Sequence, residues 1–416
     1  MQQKITLEKF YPGALITLSA LFLFYKYIMQ VYPSIITNQL MRAFHVHGLG
    51  LGNLAASFFY SYMVTQIFVG VLLDKFSPRY LTSAAILCCA IGTYLFSDAN
   101  SIYLAIAARI LMGIGAAFAT VSYMKLAANW FPKNQFAFVT GLLATAAMLG
   151  ALCGEAPMAW LIDQIGWRAS LMACGIAGLV FAALFFIIVR DAPDSGPLAN
   201  LEKYQFKFAD LRKILSKGQN WILTFYSGLS FAPVAVLGGL WGPPFIREAY
   251  NLSNTKAASL VSLAFLGLAI GAPIVGYLTD HMNDRRRVMA FGSFITFISV
   301  LLVIYVNGLP LVIVGFLFFL FGLSVSTFML GFTIGKEINP IVLAASVIAL
   351  INTGDAIFGA VTEPMIGKFL DLDWQQKLID GVPYFGVENY HRALAVLPVY
   401  LFIAFVLTFF VKEGKT

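Results

Sequence analysis

Charge is what this chain has least of. Only 11% of its 416 residues are Asp, Glu, Lys or Arg, against about 25% in a soluble domain, so a solvated globular surface is excluded. Cysteine is scarce too. Cys88, Cys89, Cys153 and Cys174 all sit inside apolar runs and none has redox or metal spacing, so disulfides, clusters and metal sites are not expected. The four histidines, His45, His47, His281 and His391, fall at the ends of such runs or between them. A histidine proton relay inside the apolar segments is therefore not expected. Glycine-rich phosphate loops, nucleophile elbows and paired-cysteine motifs are missing. That argues against an enzyme, against a bound cofactor and against nucleotide as an energy source. The first nine residues lack the charged, apolar and cleavage regions of a signal peptide, and the first apolar run is too long to be one, so it is expected to stay as a span.

What is present is apolar. Hydrophobic residues make up 60% of the chain, with 38 Phe and 35 Gly. A membrane-crossing helix needs about 20 apolar residues. Twelve such runs are expected, roughly at 13–39, 49–73, 80–97, 102–130, 136–161, 169–190, 220–247, 257–279, 288–306, 309–335, 341–367 and 393–411. Two long polar interruptions remain, 191–219 and 368–392. The first lies mid-chain and divides a first six-helix half, 1–190, from a second, 220–416, with 191–219 as linker. Charge placement orients the chain, because Lys and Arg favour cytoplasmic loops. Of those in loops and at span ends, 17 fall on the face with both termini and 7 on the other. Both termini and the linker are thus expected in the cytoplasm, in a multi-pass protein of the inner membrane. The same bias accounts for the net charge of +7 without a nucleic-acid partner. The basic run at 203–217 reads as a solvated, partly amphipathic linker segment at the membrane surface. The expected partners are the lipid bilayer and a small-molecule substrate, with the chain acting as a monomer.

The halves repeat. Gly70-Val-Leu-Leu-Asp74-Lys75-Phe-Ser-Pro-Arg79 returns as Gly276-Tyr-Leu-Thr-Asp280-His-Met-Asn-Asp284-Arg285-Arg286-Arg287, the two Asp offset by 206 residues. Glu155 and Asp163 return as Glu363 and Asp371, each offset by 208. A sustained offset marks a duplicated six-helix unit around one central path, a design for moving a solute.

These loop motifs resemble the signature between helices 2–3 and 8–9 of the major facilitator superfamily. Arg109-Ile-Leu-Met-Gly113-Ile-Gly115 is similar to that family's Arg-x-x-x-Gly-x-Gly pattern on helix 4. Gly166-Trp167-Arg168 and Trp130-Phe131-Pro132 are also similar to family features. The resemblance covers the whole chain. It implies an all-α membrane protein of twelve transmembrane helices, with two six-helix halves related by a pseudo-two-fold axis, working by alternating access. Gly238-Gly-Leu-Trp241-Gly-Pro243-Pro244 and Tyr60-Ser-Tyr-Met-Val-Thr-Gln66 resemble bacterial metabolite:proton symporters and prokaryotic relatives of the lysosomal dipeptide transporter. Ser77 departs from the family's loop glycine. Gly150-Ala-Leu-Cys-Gly154-Glu155-Ala-Pro157 departs from the helix-5 pattern of proton-coupled drug exporters.

Ionisable side chains inside spans mark sites, because a charge at the bilayer centre costs about 2.5–3.5 kcal/mol on insertion scales. Lys26 lies mid-helix 1, with Gln30 on its face. The functional reading is a cation for a substrate's carboxylate; the structural one is a permanent ion pair. Asp355 on helix 11 lies at matching depth, so a Lys26–Asp355 pair across the cavity is expected, with Asp355 as proton carrier. Glu155 and Glu363, each near a proline, are further proton-coupling candidates. An Arg109–Glu155 pair inside the first half is the structural alternative. Tyr25, Arg109, Tyr123, Trp241 and Asn352 join Lys26 and Gln30 as candidate substrate contacts, and Lys125 sits where it could snorkel to the interface. Asp74, Lys75, Arg79, Asp280, Arg285 and Arg287 are candidate gating residues, forming a cytoplasmic latch by capping or bridging between halves.

The function expected is secondary active transport of a small carboxylate-bearing or zwitterionic solute, by proton-coupled uptake. Export of drugs or siderophore-like compounds is the first alternative. A membrane-embedded enzyme and a non-transporting sensor are alternatives from other classes.

Overall fold

Hydrocarbon offers backbone amides no partners, so apolar runs of this length satisfy their hydrogen bonds internally, as helices. The computed structural model describes residues 2–131, 135–191, 208–282, 284–340 and 343–413. Among the described residues, twelve long helices cross the molecule. In the first half, α1 runs over Gln2–Val31, tightens to a 3-10 turn at Tyr32–Ile36 and resumes at Thr37–Phe44. α2 is Gly48–Lys75, α3 Pro78–Asp98 and α4 Ile102–Trp130. α5 comprises Phe136–Gly154 and Ala156–Ile165, and α6 is Trp167–Ile188. In the second half, α7 is Gly218–Tyr250, α8 Asn254–Met282 and α9 Arg285–Tyr305. α10 is Leu311–Glu337, α11 Ala344–Leu372 and α12 Val387–Thr408. The face where α1 begins and α12 ends is called the terminal face below, and the opposite one the far face.

Ten of these helices are both long and apolar enough to cross a membrane among the described residues. α2 and α11 pack on one another across the join between halves. Their approach is close at the far face. A Cβ on Gly48 would lie 2.6 Å from the Gly367 carbonyl oxygen, and one on Gly52 only 2.5 Å from Pro364 Cα. Small residues permit that backbone contact, as membrane helix interfaces generally require.

Prolines act unevenly. Pro33 lies in the 3-10 turn of α1, and Pro157 follows the break in α5 at Glu155. Pro233 precedes a π-helical stretch, Val234–Trp241, that widens α7. Pro273 and Pro364 lie within α8 and α11, which continue without a break. Two elements are not evident from hydropathy. A short helix, Phe208–Ser216, occupies the described part of the linker. A small hairpin, Leu378–Ile379 against Val382–Pro383, fills the turn between α11 and α12 at the far face.

Candidate functional site

Lys26 is 5% exposed and sits midway along the membrane-crossing part of α1. Its ammonium lies 3.7 Å from the Tyr27 ring centroid and 5.1 Å from that of Tyr62 on α2. Among the described residues no carboxylate forms an ion pair with it. Two such cation–π contacts, at about 0.5–2 kcal/mol each, offset part or all of the roughly 2.5–3.5 kcal/mol a central charge costs.

That ammonium borders a cavity of about 390 Å³, within the range of small-molecule sites. α1 contributes Lys26, Tyr27 and Gln30; α2 contributes Phe58, Phe59, Tyr62 and Gln66; α11 contributes Asn352 and Asp355. Phe231, Phe328 and Phe332 form an apolar wall from the second half. Leu143, Ile348, Ala349 and Gln66 place its mouth toward the terminal face. A side chamber of about 70 Å³ continues past Tyr27 and Gln30 to Gly239 in the π-helical stretch. Glu363 stands behind that glycine, its Oε1 3.3 Å from where a Cβ would sit. A larger void of about 520 Å³ opens along Ile106, Ile110 and Ile114 of α4 and Tyr60 and Val64 of α2. These side chains lie on the outer surface of the first six helices, so that void is a lipid-side groove.

Four of the residues singled out in the sequence meet at the central cavity: Lys26, Gln30, Asn352 and Asp355. Others do not reach it. Tyr25 points the opposite way around α1, its hydroxyl donating to Thr93 Oγ1 at 3.3 Å and the Cys174 carbonyl at 3.2 Å. Tyr123 donates to the Val139 carbonyl at 2.6 Å. Trp241 is fully buried and donates to the Glu363 carbonyl at 3.0 Å. Arg109 is also buried. Its two terminal nitrogens donate to the carbonyls of Met29, at 2.7 Å, and Ala55, at 3.1 Å, and its guanidinium faces Phe58 at 4.9 Å. It ties α4 to α1 and α2.

Two expected pairs are corrected. Arg109 does not pair with Glu155, which instead accepts from Ser34 of α1 at 2.9 Å. Lys26 and Asp355 line one cavity but form no ion pair, and Asp355 Oδ1 has no hydrogen-bond partner among the described residues. Glu155 and Glu363 are almost fully buried, each with Oε2 unpartnered among the described residues. Tyr62 and Gln66 fall within the Tyr60–Gln66 motif quoted from the sequence but were not among its candidate site residues. Their four-residue spacing on α2, continuing the face of Phe58 and Phe59, is the signal that locates them.

The terminal-face residues bond within their own halves. Ser77 donates to Asp191, as does the Arg79 backbone amide at 2.7 Å, and Arg79 Nε donates to the Phe186 carbonyl at 2.7 Å. Arg285 pairs with Glu337, and Arg287 with Asp284 at 2.8 Å. Lys75 is exposed. The side chains of Asp74 and Asp280 lie outside the described ones. The latch expected at this face is therefore not formed between described residues. Inter-half contacts appear instead at mid-depth and at the far face. Asp371 of α11 accepts from the Gly48 and Leu49 amides at the start of α2, both at 2.7 Å. Thr255 at the start of α8 donates to Asp163 of α5 at 2.5 Å. Asn254 donates to the Ile35 carbonyl at 2.7 Å, and Tyr60 to the Ala360 carbonyl at 3.3 Å. The molecule is closed at the far face and open at the terminal one.

Comparison with known proteins agrees with this architecture. The chain is 22% identical to an uncharacterized transporter of Bacillus subtilis, YybO, over 83% of this chain and 84% of that one. It is 22% identical to a probable sulfoacetate transporter, SauU, of Cupriavidus necator, over 68% of each. It is likewise 22% identical to a probable galactarate/D-glucarate transporter, GudP, of Bacillus subtilis, over 78% and 79%. A solved bacterial homologue of the human lysosomal transporter Spinster superposes with a TM-score of 0.81 over 98% of both chains, at 14% identity, which speaks to fold alone. The Major Facilitator Superfamily model matches residues 15–363. The chain belongs to that superfamily and is a multi-pass membrane transport protein, not an enzyme.

Proposed function

We propose that this protein takes up a small organic anion across the plasma membrane together with protons. The observation that carries the reading is Lys26, buried on the wall of a central cavity with no counter-ion among the described residues. The terminal face is then cytoplasmic, and the structure is the inward-open state of two halves, 1–190 and 220–416, that rock about the cavity. Lys26 holds the carboxylate or sulfonate, while Gln30 and Asn352 offer hydrogen bonds to its remaining oxygens. Asp355 shares the cavity, so anion entry places two negative groups together. Protonation of Asp355 removes that repulsion and couples the two fluxes. The relatives named for sulfoacetate and galactarate/D-glucarate support the substrate class. Glu363, behind Gly239, is the second candidate proton carrier.

A zwitterion is the second reading, favoured by the presence of both Lys26 and Asp355 at one cavity. Proteoliposomes with an inward proton gradient, offered aldarates, sulfonated acids, amino acids and dipeptides, separate the two. Anion accumulation that is lost in Lys26→Ala is expected. Full accumulation by that variant would refute the site, and dipeptide uptake alone would select the zwitterion.

A further inference from the structure

A second basic cavity lies at the far face, away from Lys26. It measures about 450 Å³ and is lined by Arg42 near the end of α1, Trp167 and Arg168 at the start of α6, and Arg247 of α7. No carboxylate lines it. Arg168 is fixed by hydrogen bonds to the carbonyls of Ser97, at 2.8 Å, and Ala99, at 2.9 Å. Those bonds orient its guanidinium without neutralising it. Arg247 has neither an ion pair nor a hydrogen-bonded partner among the described side chains, although it is half-buried.

A neighbouring cavity of about 200 Å³ shares Arg42 and Arg247 and adds Glu248 and Asp380. Both acids there are already engaged. Asp380, on the far-face hairpin turn, pairs with Arg42 at 3.4 Å, and Glu248 accepts from Tyr384. That bond raises the Tyr384 hydroxyl above the usual tyrosine value, so it stays a donor. A hydroxyl donor leaves the Glu248 carboxylate charged, so across the two cavities three arginines face two carboxylates and one net positive charge is left over; Arg168 and Arg247, from opposite halves, are the guanidinium groups there without an ion pair among the described residues.

We propose that this cavity is an entry vestibule for the anion: a loose external binding site that concentrates a carboxylate- or sulfonate-bearing solute before the far face opens. A recessed site of one sign raises local anion concentration and on-rate, and salt suppresses the effect. Because Arg247 belongs to one half and Arg42 and Arg168 to the other, opening of the far face parts the guanidinium groups and releases the anion inward. The proposal rests on the reading of the protein as an anion importer. A phosphate group of lipid shares this chemistry, and the test separates the two sources.

Iodide is the probe, in detergent without phosphate, with Trp167 fluorescence isolated as the difference between the unaltered protein and Trp167→Phe. Iodide quenching normalised to that by neutral acrylamide reports local anion excess. The excess is expected to fall at least twofold in Arg247→Gln, to return in Arg247→Lys and to rise in Asp380→Asn. It should survive in Lys26→Ala and be competed by millimolar galactarate. No change in Arg247→Gln, or competition by phosphatidylglycerol but not galactarate, overturns the proposal. In vesicles, Arg247→Gln should raise the KM for entry about threefold at low salt, with kcat within twofold, and the difference should vanish near 1 M salt. A KM unchanged at low salt also refutes it. Should no anion be transported at all, the importer reading fails, while the iodide arm still decides the vestibule.

Discussion

Asp371 holds the far face shut, and its removal has a calculable consequence. Both carboxylate oxygens accept backbone amides at 2.7 Å, from Gly48 and Leu49, at the N-terminus of a 28-residue helix in the opposite half. Loss of a capping side chain costs about 0.5–2 kcal/mol, and the carboxylate's attraction to the helix dipole adds about 0.3–1 kcal/mol. Partial solvent exposure holds the sum for Asp371→Ala near 2 kcal/mol. Those bonds exist only while α2 and α11 meet, so the whole loss falls on the far-closed state. At about 1.4 kcal/mol per tenfold, the population open at the far face should grow about 30-fold. The assay is the labelling rate of Ile36→Cys by a membrane-impermeant maleimide, in a background without the native cysteines. Ile36 is fully buried in the far-closed state. Asp371→Asn keeps one acceptor and loses the charge, so it should fall between the other two. Equal rates for Asp371 and Asp371→Ala, within twofold, would refute the reasoning.

Asp355→Asn should abolish proton-driven accumulation while leaving exchange of internal for external substrate, measured as counterflow in the same vesicles. Gly52→Ala places a methyl group 2.5 Å from Pro364 Cα. The far face then cannot close fully, and Ile36→Cys labelling should rise while labelling of a cysteine at Ile348, near the terminal-face mouth, falls. Tyr62→Ala removes one of the two rings facing Lys26 and should raise KM several-fold, whereas Tyr25→Phe, remote from the cavity, should leave KM unchanged.

The halves and their duplicated loops are legible in the sequence because charge among apolar runs has few places to go. Lys26 and Asp355 are legible for the same reason: ionisable residues are rare and costly mid-membrane, so each stands out from its apolar run. What hydropathy does not carry is rotational phase. Tyr25 and Tyr27 flank Lys26, yet about 100° per residue sends one to Thr93 and the other to the cavity. Charge identity likewise does not say which partner wins. Arg109 and Glu155 are close in depth, but backbone carbonyls of Met29 and Ala55 satisfy the guanidinium, and Ser34 takes the acid. The acid-to-helix-start contact between halves was expected at the terminal face from Asp74 and Asp280. In this conformation it is seen at the far face, made by Asp371 and, in weaker form, Asp163.

That last pair allows a test of how the halves move. Asp163 and Asp371 occupy the same position of the repeat, and each reaches the opposite half's next helix start, α8 and α2. Asp163 makes one bond, to the Thr255 hydroxyl at 2.5 Å, and is exposed. Its removal should cost about 0.5 kcal/mol, roughly a twofold rise in Ile36→Cys labelling. The contacts share no residue. If one rigid-body rotation breaks both, their free energies add and the labelling factors multiply, giving about 60-fold for Asp163→Ala with Asp371→Ala. A double variant no faster than Asp371→Ala alone would mean that α2 leaves α11 before α5 leaves α8. The far face would then open by bending individual helices, with the π-helical stretch of α7 as one place for the bend, and not by rocking of two intact halves.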